Sequence, residues 1–411
     1  MLSTCLNNGH CLYSLPLQHR RSQSWRRCTP SARHTLGSRE GSVQCSSSVL
    51  QQPETRQQTV HLPQVLSALM RRQDLSREEC RAAVTSLVEG NINVAQAAAF
   101  MVLLHAKGET PQEMAGLAEA MQTKAVPVHT SCDVLDIVGT GGDGIGSVNI
   151  STGACVLAAA AGAHVAKHGN RAVSSSCGAA DVLEALGVAV ELSPTSVSSC
   201  IEQTRLGFMY APYYHPVMKS VKAVRSALQV RTTLNMLGPL LNPAGAVYGL
   251  IGVYSPDISM LMAEALQQLG TRKALVVHSQ GMDELTPMGS ADIVEVTQES
   301  IKRYCLEPKD LGISRCEVKD LKGGDKALNA QILRDAFGGQ RGAVADCLCL
   351  NAGVALAACQ VAPTAQDGIK MAQEVQRSGK AGDTLQSWID VSQQLHFADC
   401  QTAGRLKKSR C

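Results

Sequence analysis

Glycines and polar side chains that could hold a phosphorylated sugar lie directly after a buried-type apolar run at 134–138. Four glycines fall within 139–144, and without Cβ atoms they let backbone N–H groups approach an anion. The segment 149–152 then opens a helix, whose first N–H groups favour phosphate. A carboxylate at Asp143 would repel free phosphate unless it binds a sugar hydroxyl, an amide or a metal. The cluster therefore favours a phosphorylated sugar, with a ligand-free glycine turn as the alternative.

A second polar cluster ends the next predicted strand. Lys167, His168, Gly169, Asn170 and Arg171 offer cations, an imidazole and an amide. Hydroxyls follow at 174–176. Such a set could bind several phosphate oxygens at once, although a solvated polar loop has the same composition.

Two further features could bind a metal and an acid. Asp283 and Glu284 follow a predicted strand, and adjacent carboxylates suit Mg²⁺, which keeps waters and bridges to substrate phosphates. Arg225 precedes a Gly-Pro loop and could form a bidentate pair with a carboxylate. Solvated loop acids and a surface arginine are the corresponding structural alternatives.

The elements that must position these residues form two parts. From His61 to Lys124 the pattern is helical, with capping boxes predicted at Ser76 and Thr110. After residue 126, short apolar runs alternate with glycine turns and alanine-rich helical runs, which indicates a mainly parallel sheet wrapped by helices. The predicted strands are 134–138, 163–166, 250–254 and 274–278, and the predicted helices between them are 151–161, 180–186 and 259–269.

The sequence thus predicts an α/β protein with a small N-terminal α-helical domain at 57–125 and a larger α/β domain at 126–385. The stretch 210–245 is a candidate to add helices to the first domain. Residues 386–411 lack clear apolar periodicity and are expected to form a solvated C-terminal tail.

The composition of the first 56 residues indicates a targeting segment. They contain seven arginines against two acids, and ten serines lie in the first fifty positions. This composition cannot form a packed core and is typical of a disordered organellar transit peptide. Its serine content favours a chloroplast over a mitochondrion, and an unprocessed disordered tail is the alternative.

Composition also excludes several classes of protein. The 411 residues carry a formal charge of +3 with only four Phe and two Trp, which argues against a nucleic-acid surface. No apolar run is long and uninterrupted enough to predict a membrane span. The 16 cysteines include no C-x-x-C pair, so we expect mostly buried, reduced thiols.

Six motifs in this order, GTGGDG, NIST, KHGNR, ADVLEALG, NMLGPLLNP and GMDEL, closely resemble the anthranilate phosphoribosyltransferases of tryptophan biosynthesis. The resemblance covers roughly residues 61–385. It implies transfer of the phosphoribosyl group of 5-phosphoribosyl 1-diphosphate to the amine of anthranilate with release of diphosphate. It also implies a Mg²⁺ cofactor and a homodimer formed through the helical domain.

The resemblance further implies roles for individual residues. Lys167 would stabilise the leaving diphosphate, and Arg225 with Asn170 would hold anthranilate. The residues that would bind magnesium are Ser151, Asp283 and Glu284. The residues implied around 5-phosphoribosyl 1-diphosphate are Gly139, Gly142, Asp143, Ser147, Asn149, Ser151, Thr152, Lys167, His168, Gly169, Asn170, Arg171, Ser174 and Ser175.

Three departures from the family pattern put single contacts in doubt. Ser147 replaces a usual Thr, Ser176 a frequent Lys, and Ala179 a usual Ser. Two other functions stay open: a pyrimidine nucleoside phosphorylase of the same architecture, and a non-catalytic phosphoribosyl-binding regulator.

Overall fold

The computed structural model describes residues 61–90, 92–172 and 176–408, and only the backbone of 403–408. The expected transit peptide at 1–56 lies outside the described residues, as do Ser174 and Ser175. No helix among the described residues is long and apolar enough to cross a membrane.

Four helices form the N-terminal helical domain, and three of them begin with a capping box. The Ser76 side chain accepts from the N–H of Glu79, whose carboxylate accepts from the N–H of Ser76, and Thr110 and Glu113 repeat this capping box. Both predicted boxes are confirmed. The helices are α1 (Leu62–Met70), α2 (Arg77–Val88), α3 (Val94–Lys107) and α4 (Pro111–Thr123).

The stretch 210–245 contributes a further helix to this domain. It contains α8 (Ala211–Tyr214) and α9 (Met218–Leu228). Helix α9 contacts α2 and α3. Its Val221 and Val224 are buried in the same apolar cluster as the buried apolar residues of those two helices. The helix that holds Arg225 is therefore supported by the helical domain.

The larger domain contains a seven-stranded sheet of order β3-β2-β1-β4-β5-β6-β7. The five strands from β3 to β5 are parallel, and β6 and β7 extend the sheet as an antiparallel hairpin. The mainly parallel α/β fold is thus confirmed. The strands are β1 (Leu135–Gly139), β2 (Val165–Gly169), β3 (Leu206–Tyr210), β4 (Tyr248–Gly252), β5 (Lys273–Ser279), β6 (Ala291–Thr297) and β7 (Ile301–Leu306).

Helices cover the sheet and enclose its core. Alanine-rich α5 is buried on almost every side, because it packs against β1, α12 and α14. The remaining helices of this domain are α5 (Ile150–Ala160), α6 (Ala179–Leu186), α7 (Pro194–Thr204), α10 (Ser259–Gln268), α11 (Lys326–Phe337), α12 (Ala343–Ala358), α13 (Ala365–Arg377) and α14 (Lys380–Lys408). No disulfide bond joins the described cysteines, and six of them are buried.

The C-terminal segment differs from the solvated tail expected at 386–411. Its residues up to Lys408 belong to α14, a helix of 29 residues that packs on α7 and α5. Trp388 is only 1% exposed. The carboxylate of Asp399 accepts from the backbone N–H of Ser193 at the start of α7 (2.9 Å). The expectation was wrong because a few apolar residues, spaced widely along a polar helix, supply its buried face.

Candidate active site

The candidate residues gather at the carboxyl ends of the parallel strands. The glycine turn follows β1, the 167–171 motif ends β2, and the acidic pair follows β5. Strand order places β1 next to β4, although β2 and β3 come between them in sequence. Ligands of parallel α/β sheets bind at such a reversal of strand order.

The glycine turn has a backbone that other residues rarely adopt. Gly141, Gly142, Gly144 and Gly146 have φ values of +71°, +85°, +75° and +69°. Within the turn, the carboxylate of Asp143 accepts from the N–H of Ile145 (3.2 Å). These φ values explain why glycine is needed at Gly142, whereas Gly139 has a different role.

Gly139 and Gly252 make room for Asp283. A Cβ at Gly139 would overlap the carboxylate of Asp283, and a Cβ at Gly252 would overlap its backbone carbonyl. The carboxylate also accepts from the N–H of Gly141 (2.6 Å). Asp283 is consequently held over the ends of β1 and β4, between the glycine turn and the sheet.

Glu284 lies beside the start of α5. Its carboxylate accepts from the N–H of Ser151 (3.2 Å), and the Ser151 hydroxyl accepts from Nζ of Lys167 (3.3 Å). Nζ of Lys167 also donates to the carbonyl of Ile137 (2.7 Å), and its side chain is buried. The structure thus brings together the three residues assigned to magnesium and the lysine assigned to diphosphate.

The electrostatics of this cluster favour a cation. Burial, with the charge of nearby Asp143, raises the pKa of Asp283 to about 6. Burial and the charge of Asp283 raise the pKa of Glu284 to about 8, against the opposing effect of Lys167. Within the described chain, no preformed group of three or more acidic, His or Cys ligands surrounds a metal position. The site fits Mg²⁺, which binds through one or two carboxylates and completes its shell with water and phosphate.

The 167–171 motif does not act as one ligand-binding surface. Side chains alternate between the two faces of a strand, so Lys167 and His168 point in opposite directions. Nδ1 of His168 faces the carbonyl of Gly238 (3.4 Å), and its ring packs on that of His215 with centroids 5.0 Å apart. Burial lowers the pKa of His168 to about 3, which keeps the ring neutral. His168 thus packs away from Lys167, and its assignment to substrate binding stays a prediction.

Arg171 is also placed differently from the prediction. It forms a bidentate pair with Glu184 (2.6 and 2.7 Å), lies 3.4 Å from a carboxylate oxygen of Asp181, and donates to the hydroxyl of Tyr210 (3.2 Å). The pair with Glu184 raises the pKa of the guanidinium. Since all three nitrogens are engaged, Arg171 supports the loop after β2 instead of a phosphate.

The remaining residues of the two motifs are placed at the same edge. Gly169 ends β2, and exposed Asn170 follows it. Ser147 pairs through its backbone with Lys322. Thr152 is buried, and its hydroxyl has no partner among the described residues. These positions are consistent with the substrate-binding prediction and do not test it.

Asn149 is held by a residue that sequence reasoning missed. Its side-chain carbonyl accepts from Nδ2 of Asn329 on α11 (2.9 Å), and its own amide donates to the carbonyl of Cys177 (3.1 Å). Asn329 is buried and also accepts from the N–H of Gly324 (2.8 Å). No local signal links positions 180 residues apart, so only the fold reveals this contact.

Asp136 and Asn242 form a second missed network. Nδ2 of Asn242 donates to the Asp136 carboxylate (2.7 Å) and to the carbonyl of Ala166 (2.8 Å). Burial raises the pKa of Asp136 to about 6. The Asn-Pro ending of the NMLGPLLNP motif therefore ties β1 to β2 beneath the site.

Arg225 is half-buried in the last turn of α9. Burial lowers the pKa of its guanidinium, and no hydrogen bond or ion pair joins that group to another described residue. A buried cation without a partner is unfavourable, and an anionic ligand would relieve it. The predicted anthranilate contact thus has a physical basis in the structure.

Comparisons with known proteins agree with this geometry. A model of the glycosyl transferase family, helical bundle domain, matches residues 63–125, and one of its a/b domain matches residues 131–382. The anthranilate phosphoribosyltransferase of Chlamydia felis (strain Fe/C-56) is 42% identical over 347 residues, 84% of this chain and 98% of that protein. That of Rubrobacter xylanophilus is 45% identical over 323 residues, 78% of this chain and 94% of that protein.

Solved structures give the same result. The crystal structure of anthranilate phosphoribosyltransferase from Thermus thermophilus matches with a TM-score of 0.77 and 42% identity, covering 80% of this chain and 99% of that chain. The enzyme from Saccharomyces cerevisiae in complex with PRPP and Mg matches with a TM-score of 0.74 and 26% identity, covering 81% and 98%. The chain therefore belongs to the glycosyl transferase family that joins a helical bundle to an a/b domain. Within it, the chain is a member of the anthranilate phosphoribosyltransferases.

Proposed function

We propose that this chain transfers the phosphoribosyl group of 5-phosphoribosyl 1-diphosphate to the amine of anthranilate in tryptophan biosynthesis. The observation that supports this most directly is the joint position of Asp283, Glu284, Ser151 and Lys167 against the glycine turn. This arrangement offers positive charge, backbone donors and metal-binding carboxylates to a diphosphate. The names of the curated relatives point to the same reaction.

Asp283 and Glu284 are the residues that would hold Mg²⁺, with Ser151 next to them. The ion would supply charge that stabilises the departing diphosphate. A divalent cation would also offset the cost of ionising two adjacent buried carboxylates, whose pKa values are raised without it. The yeast relative, whose structure contains PRPP and Mg, supports this choice of metal.

The chain's own residues bind and orient both substrates. The turn at 139–146 presents N–H groups to the sugar phosphate. Because Lys167 donates to the Ser151 oxygen, the Ser151 hydroxyl proton is free to donate to a phosphate oxygen. The positive charge of Lys167 stabilises the negative charge that grows on the leaving group.

The acceptor is oriented from α9. Arg225 would pair with the carboxylate of anthranilate and direct the amine toward C1 of the ribosyl unit. A bond forms between the amine nitrogen and C1 while the bond from C1 to the diphosphate oxygen breaks. The adjacent carboxylate of the substrate takes the amine proton, so no protein base is required. Positioning of the two substrates contributes much of the acceleration.

Anthranilate fluorescence tests this function in the full-length protein. We expect the fluorescence to fall only when 5-phosphoribosyl 1-diphosphate and Mg²⁺ are both present. The double variant Asp283→Asn, Glu284→Gln should lose this activity, whereas Asp310→Asn with Glu299→Gln, two exposed acids, should retain it. An inactive wild type refutes the proposal, and a fully active Asp283/Glu284 variant refutes the metal site. Phosphorolysis of uridine by the wild type would instead favour a pyrimidine nucleoside phosphorylase.

We propose a chloroplast location, supported by the arginine- and serine-rich composition of residues 1–56. A fluorescent fusion to 1–56 should enter the stroma. The same fusion with the seven arginines changed to glutamine should stay outside. Accumulation in mitochondria would refute the choice of organelle.

We also propose a homodimer formed through the helical domain. Exposed apolar side chains at Met70, Val94 and Val102 on α1 and α3 support an interface there. Light scattering should give twice the mass of the chain, and Val94→Glu with Val102→Glu should shift it toward the monomer. A monomeric wild type would contradict this proposal.

A further inference from the structure

Arg231 links the segment after α9 to the glycine turn. It lies past the end of α9, the helix that holds Arg225. Its Nη2 donates to the backbone carbonyl of Gly142, and its Cζ lies 4.4 Å from the ring centroid of Tyr254. The sequence analysis assigned no role to this exposed arginine.

Three other glycines of the turn have open space where a side chain would lie. A Cβ added at Gly141, Gly144 or Gly146 would meet nothing within 4 Å among the described residues, so side-chain packing does not hold these positions. A Cβ at Gly142 would lie 2.7 Å from Nη2 of Arg231. Of the four glycines, only Gly142 has a close neighbour among the described residues, and that neighbour is the guanidinium of Arg231.

Two polar contacts with residues outside the turn hold its middle, in addition to the bonds at Thr140, Ile145 and Gly146. The N–H of Gly141 donates to Asp283, and the carbonyl of Gly142 accepts from Arg231. Since a peptide group is planar, a fixed Gly142 carbonyl also fixes the direction of the N–H of Asp143. Orientation of N–H groups is what a backbone anion site depends on.

Tyr254 contacts both the turn and Arg231 from the end of the sheet. It follows β4, and its N–H donates to the Thr140 hydroxyl (3.2 Å) at the start of the turn. Stacking on this ring restricts where the guanidinium can lie. Arg231 consequently connects the ends of β1 and β4 with the segment that continues from the acceptor helix α9.

We propose that Arg231 is a positioning residue that holds the turn in its phosphate-binding shape and couples that turn to helix α9. This inference rests on the proposed function for its substrate, the phosphoribosyl diphosphate. Removal of Arg231 should weaken binding of this substrate more than binding of anthranilate, since Arg231 contacts the turn and not Arg225.

The test compares Arg231→Gln with a matched control, Arg272→Gln. Arg272 is also an arginine stacked on a tyrosine, with Cζ 5.4 Å from the Tyr248 ring centroid, but it lies at the amino ends of β4 and β5. We expect Arg231→Gln to raise KM for 5-phosphoribosyl 1-diphosphate about tenfold, equivalent to about 1.4 kcal/mol. KM for anthranilate should change less than about twofold, and the control should change neither. Arg231→Lys should recover part of the loss, because it restores the charge and one donor.

Hydrogen exchange of the peptide covering 139–146 gives a readout independent of activity. The turn should exchange at least about fivefold faster in Arg231→Gln than in the wild type or in Arg272→Gln. Unchanged exchange, an unchanged KM for the phosphoribosyl donor, or equal rises in both KM values would overturn the proposal. An inactive wild type would refute the proposed function, while the exchange comparison would still decide the role of Arg231.

Discussion

Replacing Glu284 by Gln should remove a pH-dependent loss of stability. The carboxyl of Glu284 has an ordinary pKa of 4.5, which the folded chain raises to about 8. Below about 4.5 both the folded and the unfolded chain keep it protonated. As pH rises, the unfolded chain ionises first, so stability falls until the folded group also ionises near pH 8. Gln resembles the protonated acid and can still accept from the N–H of Ser151.

The magnitude follows from the raised pKa. At about 1.36 kcal/mol for each tenfold change in proton affinity, the difference between 4.5 and about 8 amounts to at most about 5 kcal/mol. Glu284 keeps part of its surface in solvent, so we expect about 2 to 3 kcal/mol after screening. Urea unfolding of both proteins without metal should give similar stabilities at pH 4.5. The variant should be more stable by that amount at pH 8.

Two comparisons make this test decisive. Glu299→Gln, at an exposed acid, should follow the wild type at every pH. Millimolar Mg²⁺ with diphosphate at pH 8 should stabilise the wild type more than Glu284→Gln, because a ligand stabilises the state that binds it. A difference in unfolding free energy between Glu284→Gln and wild type that stays constant from pH 4.5 to 9 would refute the raised pKa.

Three further substitutions test other parts of the structure. Arg225→Ala should raise KM for anthranilate at least about tenfold and leave that for 5-phosphoribosyl 1-diphosphate within about twofold; steady-state kinetics would contradict the assignment if both rose equally. Gly139→Ala should displace the Asp283 carboxylate and raise the Mg²⁺ concentration needed for half-maximal activity, which a metal titration measures; an unchanged titration would rule out this clash. Trp388→Ala should cost about 3 to 5 kcal/mol in urea unfolding, because α14 packs through this side chain; a loss below about 1 kcal/mol would mean that the helix is dispensable.

Local patterns predicted much of the fold. The capping boxes at Ser76 and Thr110 depend on residues three positions apart, and both are present. The four predicted strands are short buried runs bounded by glycine turns, and each overlaps a strand of the sheet, with its ends shifted by up to three residues. Strands β3, β6 and β7 were not predicted. The run that forms β3 directly follows helix α7, and β7 has mostly exposed side chains without a buried face.

The site was predicted where one motif follows one strand, and less well where contacts cross the fold. Asp283 and Glu284 do lie together with Ser151, as expected from their strand ends. The strand period of two separates Lys167 from His168 because β2 runs through both residues, whereas the predicted strand ended at 166. The partners Glu184 of Arg171 and Asn329 of Asn149 come from other helices, which no local spacing reveals.

Because Asp283 packs against Gly139 and Gly252, the proposed donor site is harder to alter by mutation than the proposed acceptor site. Asp283 packs against the ends of two adjacent strands, so a change in a loop alone would not move it. The proposed binding of the sugar donor would therefore change only if the sheet changed. Arg225, in contrast, lies on α9, which packs against the helical domain. Redesign aimed at new aromatic amines therefore belongs on α9 itself, with Arg231 beyond its end kept in place to support the glycine turn.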